Sequence, residues 1–298
     1  MNLLPLPENL PNYNSGTALR NFLEKRGLSV RKQWGQNFLI NPGARKTLVD
    51  SLDAEAGTSV WEIGSGLGCM THELLNRGIT VTAFEIDPGL CIVLSELFAE
   101  KTGFTLIRGD VLKTWKTAEK APFLLGNLPY TVAALLMGNL IEGSCFFSRI
   151  IITVQKEVAL RMAAQPGSKD YSSISVLCAS AYSMKIIMTL KGHSFYPVPH
   201  VDSAVVRFER LPNTSSPPPL FCPLIRALFS SRRKTIANNL LNFLSGSGIM
   251  ASEAAETALK ACGLTGRERA EMLPYTVFLN LAEELEKFVN SGAGSLKE

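Results

Sequence analysis

The sequence lacks the features that mark membrane-spanning, metal-binding and disulfide-rich proteins. No apolar run reaches the roughly 18 to 20 residues that a bilayer-spanning helix needs. The chain does not open with a basic stretch and an apolar core, as a secretory signal does. The six cysteines form no C-x-x-C pair and have no histidine at ligand spacing, which predicts reduced, mostly buried thiols. We therefore expect a monomeric cytoplasmic protein with no metal ion and no membrane partner.

The sequence also carries little excess charge. Its net charge is +4 over 298 residues, far from that of a histone-like protein. Two clusters are nevertheless basic, residues 20–46, with Glu24 as their single acid, and residues 232–234. Their basic residues are Arg20, Lys25, Arg26, Arg31, Lys32, Arg45 and Lys46, and Arg232, Arg233 and Lys234. Each cluster fits either a solvated surface or a face that binds phosphate.

The hydrophobic pattern from Ser59 onward predicts an α/β fold. Short β-branched runs alternate with helical stretches, which is typical of parallel strands joined by crossover helices. The last two strands are too close in sequence to enclose a helix, so they predict an antiparallel hairpin at the end of a mostly parallel, seven-stranded, Rossmann-like sheet. The predicted strands are 59–63, 80–85, 104–107, 122–125, 149–154, 184–190 and 204–209. The predicted helices are 70–77, 88–101, 132–141, 156–164 and 173–182.

A change of composition after Arg210 predicts a second, smaller domain. The stretch LPNTSSPPPL is rich in proline and serine and cannot continue a strand or a helix. Beyond it the pattern is helical only, with helices predicted at 223–229, 235–244, 252–262 and 276–289. We therefore predict an N-terminal extension (1–30), an α/β domain (31–210), a linker (211–220) and an all-α C-terminal domain (221–298).

A glycine-rich turn follows the first predicted strand. Gly64, Gly66 and Gly68 lie between this strand and the next helix, where glycines allow backbone N–H groups to approach a ligand closely. By itself this pattern fits a tight turn or any nucleotide-like ligand. The NAD fingerprint G-x-G-x-x-G needs glycine at position 69, and the chain has Cys69 there, which argues against a dehydrogenase.

Two acids end the next two strands. Glu85 follows Gly64 by 21 residues, the spacing at which a carboxylate accepts hydrogen bonds from both hydroxyls of a ribose. Asp110 ends the third strand and could accept a hydrogen bond from an adenine amino group. Together with the glycine turn, these acids predict an adenosyl cofactor.

The segment Asn127-Leu-Pro-Tyr130 follows the fourth strand and predicts chemistry on an amino nitrogen. The Asn127 side-chain oxygen and the Pro129 carbonyl could each accept one N6–H of an adenine, which favours a nucleophilic, pyramidal nitrogen. Tyr130 offers a flat face on which an extruded base can stack. This chemistry requires neither a protein nucleophile nor a metal ion.

Several motifs in order give the chain a family resemblance. They are QNFL (36–39), EIGSGLG (62–68), NLPY (127–130), QKEV (155–158), FYPVPHVDSAV (195–205) and RRKTI (232–236). Their combination resembles the KsgA (RsmA) family of small-subunit ribosomal RNA adenine dimethyltransferases, from about Leu19 to the C-terminal helices. The resemblance implies a class I methyltransferase domain that uses S-adenosyl-L-methionine.

The resemblance also implies roles for individual residues. Cofactor contacts would come from Asn37, Leu39, Gly64, Gly66, Glu85, Asp110 and Asn127. The target-base pocket would comprise Asn127, Pro129 and Tyr130, with Phe195 as a second stacking face unless it is a core aromatic. Arg232, Arg233 and Lys234 would face RNA phosphate.

The implied substrate is a pair of adjacent adenosines in a loop near the 3′ end of 16S rRNA, within a 30S subunit or its precursor. Three alternatives remain. An Erm-type 23S rRNA adenine methyltransferase shares the Gln-Asn-Phe and Asn-x-Pro-Tyr motifs. A non-catalytic rRNA-binding assembly factor could retain the fold. A DNA adenine methyltransferase would need a region that reads duplex sequence, and none is evident.

Overall fold

A computed structural model describes residues 10–31, 34–245 and 251–290, with the backbone but not the side chains of Tyr130 and Thr131. The described residues form two compact units. The first comprises residues up to Leu136, Phe147–Ala159 and Lys185–Glu209, and the second comprises Met137–Phe146, Leu160–Met184 and residues from Arg210 onward. Each unit is built from separate stretches of chain. The four segments predicted from the sequence therefore do not coincide with the two compact units.

A seven-stranded sheet, in the order β4-β3-β2-β5-β6-β9-β7, organises the described α/β part of the chain. Five strands are parallel, and β9 pairs with β6 in the antiparallel sense. The sheet strands are β2 (Ser59–Ile63), β3 (Thr80–Glu85), β4 (Phe104–Arg108), β5 (Phe123–Asn127), β6 (Arg149–Gln155), β7 (Tyr182–Leu190) and β9 (Ser203–Arg210). This confirms the predicted mostly parallel sheet with its closing pair of strands, and each predicted strand lies within two residues of the observed one.

The helices that connect these strands also match the sequence-based expectations. They are α3 (Cys69–Asn76), α4 (Pro88–Phe98), α6 (Tyr130–Glu142), α7 (Lys156–Met162) and α8 (Ser173–Ala181), with one short turn, α5 (Val111–Thr114), that was not predicted. Helix α4 shows why they begin where they do, because Asp87 accepts from the backbone N–H groups of Gly89 and Leu90 and Pro88 follows the cap. Among the described residues, no helix has the length and apolar character to cross a bilayer.

Parallel pairing brings the functional loops to one edge of the sheet. In register, Ile63 of β2 lies opposite Phe84 of β3 and Gly126 of β5. The residues that follow these positions are the glycine turn, Glu85 and Asn127. Because the strands run in the same direction, their carboxyl ends form a common crevice, where open α/β sheets bind ligands.

The segment before the first sheet strand is an integral part of the first unit and not an extension. It contains α1 (Gly16–Glu24), β1 (Phe38–Leu39) and α2 (Pro42–Leu52), and β1 pairs antiparallel with β8 (Phe195–Tyr196). Leu19 and Leu23 of α1 are buried in the core that α4 also lines. The Tyr13 hydroxyl donates to the Leu67 carbonyl beside the glycine turn at 2.9 Å. The predicted boundary at residue 30 therefore cuts through packed structure.

The second unit contains the helices predicted after the proline-rich stretch. They are α9 (Phe221–Leu228), α10 (Ile236–Leu244), α11 (Ala251–Ala261) and α12 (Tyr275–Phe288). Their apolar faces form a core that includes Phe221, Ile225 and Phe278. The buried Asn239 amide donates to the carbonyls of Leu228 and Ser231, so it holds the turn that carries the second basic cluster.

Candidate active site

A cavity lies at the carboxyl ends of β2, β3 and β5 in the first unit. Its walls are the segment that precedes and includes β1, the glycine turn, the end of β3 and the start of the Asn127 motif. The lining residues are Trp34, Gly35, Gln36, Asn37, Phe38, Leu39, Gly64, Ser65, Gly66, Leu67, Cys69, Met70, Glu85, Ile86, Leu90, Asn127 and Pro129. Six of the seven predicted cofactor residues are thus brought together, and the seventh, Asp110, lies in the neighbouring pocket.

The glycine turn has the conformation that its sequence predicts. Gly64, Gly66 and Gly68 have φ angles of 72°, 59° and 80°, which L-residues with a side chain rarely adopt. A Cβ on Gly66 would also lie 3.2 Å from the Phe38 ring, and one on Gly68 would lie 2.3 Å from the Phe98 ring. The turn therefore needs glycine both for its backbone angles and for its close packing.

Glu85 lies at the floor of the cavity and is only 5% exposed. Its Oε2 accepts from the Gly66 N–H at 2.8 Å, and its Oε1 accepts from the Asp87 N–H at 2.9 Å. Burial raises the pKa of this carboxyl above its usual value, although the two backbone donors oppose the shift. The carboxylate is held in one orientation, from which its remaining lone pairs can accept hydroxyl protons of a ribose.

Asp110 lines a second, mostly apolar pocket beside the first. This pocket shares Gly64, Ile86 and Pro129 with the cavity, and its residues are Ile63, Gly64, Phe84, Ile86, Gly109, Asp110, Val111, Pro129 and Val132. One oxygen of Asp110 caps α5 by accepting from the Leu112 N–H at 3.0 Å. An apolar slot with one carboxylate at its end suits a flat heteroaromatic ring that bears an amino group.

The Asn127 amide is already oriented. Its Nδ2 donates to the Asn37 carbonyl at 2.7 Å, so its Oδ1 is the end left to accept from a ligand. The adjacent Leu128 N–H donates to the Thr153 carbonyl of β6, which anchors the motif to the sheet. The Pro129 carbonyl accepts from Val132 N–H at 3.0 Å and lies 3.4 Å from Ala133 N, so it already serves the first turn of α6.

The structure places Phe195 differently from the stacking role that the resemblance implies. Its side chain is 2% exposed and packs in the core with Leu39, Leu48 and Val205. The register of the β1–β8 pair sets Phe195 opposite Leu39 and turns it toward that core. The core-aromatic interpretation fits this placement, because a ring enclosed by aliphatic side chains offers no free face. Tyr130 begins α6, but its side chain lies outside the described residues.

The two basic clusters are only partly available to a ligand. Arg232, Arg233 and Lys234 are all exposed, and Arg232 pairs with Glu271 at 3.3 Å and donates to the Lys169 carbonyl at 2.9 Å. In the first cluster Arg45 is buried and donates to the carbonyls of Tyr13 and Leu39, so it is structural. The other described members remain at the surface, several of them paired with carboxylates, and Lys32 lies outside the described residues.

Three residues of the site were not singled out from the sequence. Glu62 is fully buried behind the glycine turn, where burial raises its pKa to about 8 and Thr71 donates to one of its oxygens. Trp34 and Gln36 line the cavity. Glu62 and Gln36 belong to the EIGSGLG and QNFL motifs, but a sequence motif does not show which residues a side chain contacts. Trp34 carried no signal beyond its place before the QNFL motif.

The residues present fit an S-adenosylmethionine molecule. Four features lie along one crevice. They are the closely packed glycine turn, the buried Glu85 carboxyl, the apolar slot that Asp110 lines and the oriented Asn127 amide. When bound, the cofactor supplies an electrophilic methyl group on a sulfonium.

Two solved methyltransferase structures have folds similar to that of this chain. A dimethyladenosine transferase from Plasmodium falciparum aligns with a TM-score of 0.72 and 23% identity, covering 86% of this chain and 98% of that one. The 23S rRNA methyltransferase ErmE aligns with a TM-score of 0.59 and 23% identity, covering 84% of this chain and all of that one. At this identity the likeness concerns the fold, which is that of a class I methyltransferase.

Curated relatives are more similar in sequence. The Ribosomal RNA small subunit methyltransferase A of Treponema denticola is 41% identical over 286 residues, covering 92% of this chain and 95% of its own length. The protein of the same name from Treponema pallidum is 43% identical over 281 residues, covering 92% and 98%. The family model for ribosomal RNA adenine dimethylase matches residues 27–287. The chain therefore belongs to the ribosomal RNA adenine dimethylase family of S-adenosylmethionine-dependent enzymes.

Proposed function

We propose that this enzyme acts on 16S rRNA within a 30S subunit or its precursor, and that it dimethylates N6 of two adjacent adenosines in a loop near the 3′ end. The relatives that support the small-subunit assignment carry it in their names and match nearly the whole chain. The proposal places the enzyme in the cytoplasm, where ribosomal RNA is assembled into subunits, and treats it as a monomer.

The orientation of Asn127 is the observation that carries the chemistry. Because Asn127 lines the cavity and its Nδ2 donates to the Asn37 carbonyl, Oδ1 is the end of the amide left to accept from a ligand. An acceptor that draws an N6–H out of the ring plane favours a pyramidal nitrogen, whose lone pair is then available to an electrophilic methyl group. Oδ1 would hold this N–H while the nitrogen bonds to the methyl carbon; the methyl–sulfur bond would break, S-adenosylhomocysteine would leave as the neutral thioether, and solvent would take the proton that N6 releases.

The Pro129 carbonyl is a poor candidate for a second acceptor. It already accepts from the first turn of α6, whereas residue 129 itself lines both pockets. We therefore assign Pro129 the apolar wall beside the target base. This revises the role of Pro129 while it keeps the residue in the site.

Trp34 is a candidate for the second aromatic face in place of Phe195. It lines the cavity, and the next residue, Gly35, packs on Pro129, since a Cβ on Gly35 would lie 3.3 Å from the Pro129 side chain. Stacking on an aromatic ring contributes about 1 to 3 kcal/mol per base. Trp34→Ala should therefore raise KM for rRNA at least about fivefold, with Trp34→Phe close to wild type. Phe195→Leu should mainly lower Tm. The opposite pattern would return the role to Phe195.

The substrate assignment is tested by methyl transfer to purified particles. Tritium-labelled cofactor would be offered to 30S and 50S subunits from a strain that lacks the 16S modification, and the labelled RNA would be digested and analysed by mass spectrometry. We expect label in 16S rRNA as N6,N6-dimethyladenosine at two neighbouring positions. Label confined to 50S subunits would establish the 23S alternative instead. Binding to 30S subunits without transfer would favour a non-catalytic assembly factor.

A further inference from the structure

Gln36 occupies a position that joins the two halves of the active site. Its Oε1 accepts from the Arg31 backbone N–H at 2.8 Å, and its Nε2 donates to Oδ2 of Asp87 at 2.8 Å. Both ends of the amide are therefore used. The contact with Asp87 spans 51 residues of sequence, and it attaches the wall formed by residues 34–37 to the loop that follows β3.

Asp87, the partner of Gln36, is also bonded to Glu85, the carboxylate assigned to the ribose. Asp87 is 3% exposed, and its other oxygen caps α4. Its backbone N–H donates to Oε1 of Glu85, whose Oε2 accepts from Gly66. A displacement of Gln36 would therefore move Asp87, and Asp87 in turn holds the Glu85 carboxylate.

The residue that follows Gln36, Asn37, contacts the Asn127 side chain. The carbonyl of Asn37 is the acceptor that orients Asn127. Since Gln36 and Asn37 are consecutive, the same short stretch of backbone is attached to Glu85 on one side and to Asn127 on the other.

We propose that Gln36 is a positioning residue that holds residues 34–37 so that the Asn37 carbonyl orients Asn127, and that it thereby couples cofactor binding at Glu85 to presentation of the target nitrogen. This inference rests on the role assigned to Asn127 above. A neutral amide suits the position because it must accept from one N–H and donate to one carboxylate. The charged groups beside it are the Asp87 carboxyl and Arg31, whose guanidinium lies 3.8 Å from Asp87. The Glu85 carboxyl is one step further, bonded to the Asp87 backbone N–H.

Two substitutions separate positioning from a general loss of packing. Gln36→Leu removes both hydrogen bonds. Gln36→Glu keeps the shape, but at about pH 8 it sets a second carboxylate against Asp87, whereas its protonated form has the donor and acceptor of the original amide. Neighbouring carboxylates raise the pKa of such a group above its ordinary value of about 4.3. Gln165→Glu, at an exposed glutamine, is the matched control.

The measurements are S-adenosylhomocysteine affinity by calorimetry, kcat and KM on unmethylated 30S subunits, and Tm without ligand. We expect Gln36→Leu to weaken cofactor-product binding and lower kcat by about tenfold or more, the size expected for losing a hydrogen bond to a charged group. Gln36→Glu should match it at about pH 8 and recover toward wild type at about pH 5.5, where its carboxyl gains a proton. The control should follow wild type at both pH values.

The proposal is overturned if Gln36→Leu binds S-adenosylhomocysteine and turns over within twofold of wild type. It is also overturned if Gln36→Glu, normalised to wild type at each pH, shows no recovery, or if both variants only lower Tm. Failure of the Asn127 assignment would look different: Asn127→Ala would retain turnover, while the pH-dependent binding defect of Gln36→Glu would persist.

Discussion

The cavity and the basic cluster at residues 232–234 differ in how far the chain itself holds their side chains. In the cavity, Glu85 and Asn127 each have backbone partners that leave one orientation. In the cluster all three side chains are exposed, and Arg232 pairs with Glu271 at the surface. Chemistry on one atom needs preorganised groups, whereas attraction to a polyanion needs only charge nearby. The two regions should therefore respond differently to substitution.

The largest effect is expected at the cavity. Asn127→Ala removes the acceptor for N6–H and should lower kcat by about 10³-fold, the loss typical of deleting one preorganised hydrogen-bonding group. Affinity for S-adenosylhomocysteine should stay within about tenfold, or about 1.4 kcal/mol. Methyl transfer to 30S subunits and calorimetry measure the two quantities, with Asn238→Ala at an exposed asparagine as the control. Undiminished turnover would remove Asn127 from the mechanism.

The stability of the ligand-free protein should depend on pH through Glu62. Burial raises the pKa of this carboxyl from 4.5 to about 8, so the fold prefers its protonated form. Its contribution is present at low pH and is lost as pH rises through this range, by on the order of a few kcal/mol, since one pH unit corresponds to about 1.4 kcal/mol.

Glu62→Gln removes that titration and should flatten the curve of Tm against pH between about 5 and 8. Burial also raises the pKa of Glu85, a residue that both proteins retain, so the difference between the two curves reports removal of the Glu62 carboxyl. Parallel curves for wild type and variant would contradict the assignment.

A somewhat smaller effect is expected for cofactor affinity at Glu85. Glu85→Gln replaces one acceptor with an NH₂ group that must face either the Gly66 or the Asp87 N–H. The expected loss is about 1.5 to 3 kcal/mol in S-adenosylhomocysteine binding, which calorimetry would measure. Glu100→Gln, at an exposed position, should change nothing. Equal affinity in both variants would mean that Glu85 serves only to hold the glycine turn.

The smallest effect is expected at the basic cluster. Replacing Arg233 and Lys234 together by glutamine should weaken rRNA binding about tenfold at low salt and lower the slope of log affinity against log salt by about 1.4, because each phosphate contact contributes about 0.7. Arg232→Gln should instead lower Tm, since it breaks the bond to Glu271. Lys101 and Lys120, both exposed, form the control pair. An unchanged slope would exclude the cluster from the RNA surface.

The residues that sequence reasoning placed correctly belong to local patterns. The glycine turn follows a strand whose apolar run could be recognised, and Glu85 and Asn127 end two others. Parallel pairing then brings these strand ends together. The connecting helices were also recognisable, because their starts and apolar spacing are encoded within about a dozen residues. The pattern could not show that Phe195 is enclosed, since exposure depends on β1, which is more than 150 positions away.

By itself, then, the sequence determined the order of strands and helices, the glycine turn, the acids at the strand ends and the place of Asn127 at the end of its strand. Only the tertiary structure decided that Leu19 and Leu23 pack in the core and that Arg45 and Phe195 are buried. It also decided that Gln36 bonds to Asp87 and that Asn37 bonds to Asn127. The physical reason is range: local propensity and spacing act between neighbours in the chain, whereas burial and hydrogen-bond partners between distant segments exist only once those segments have packed.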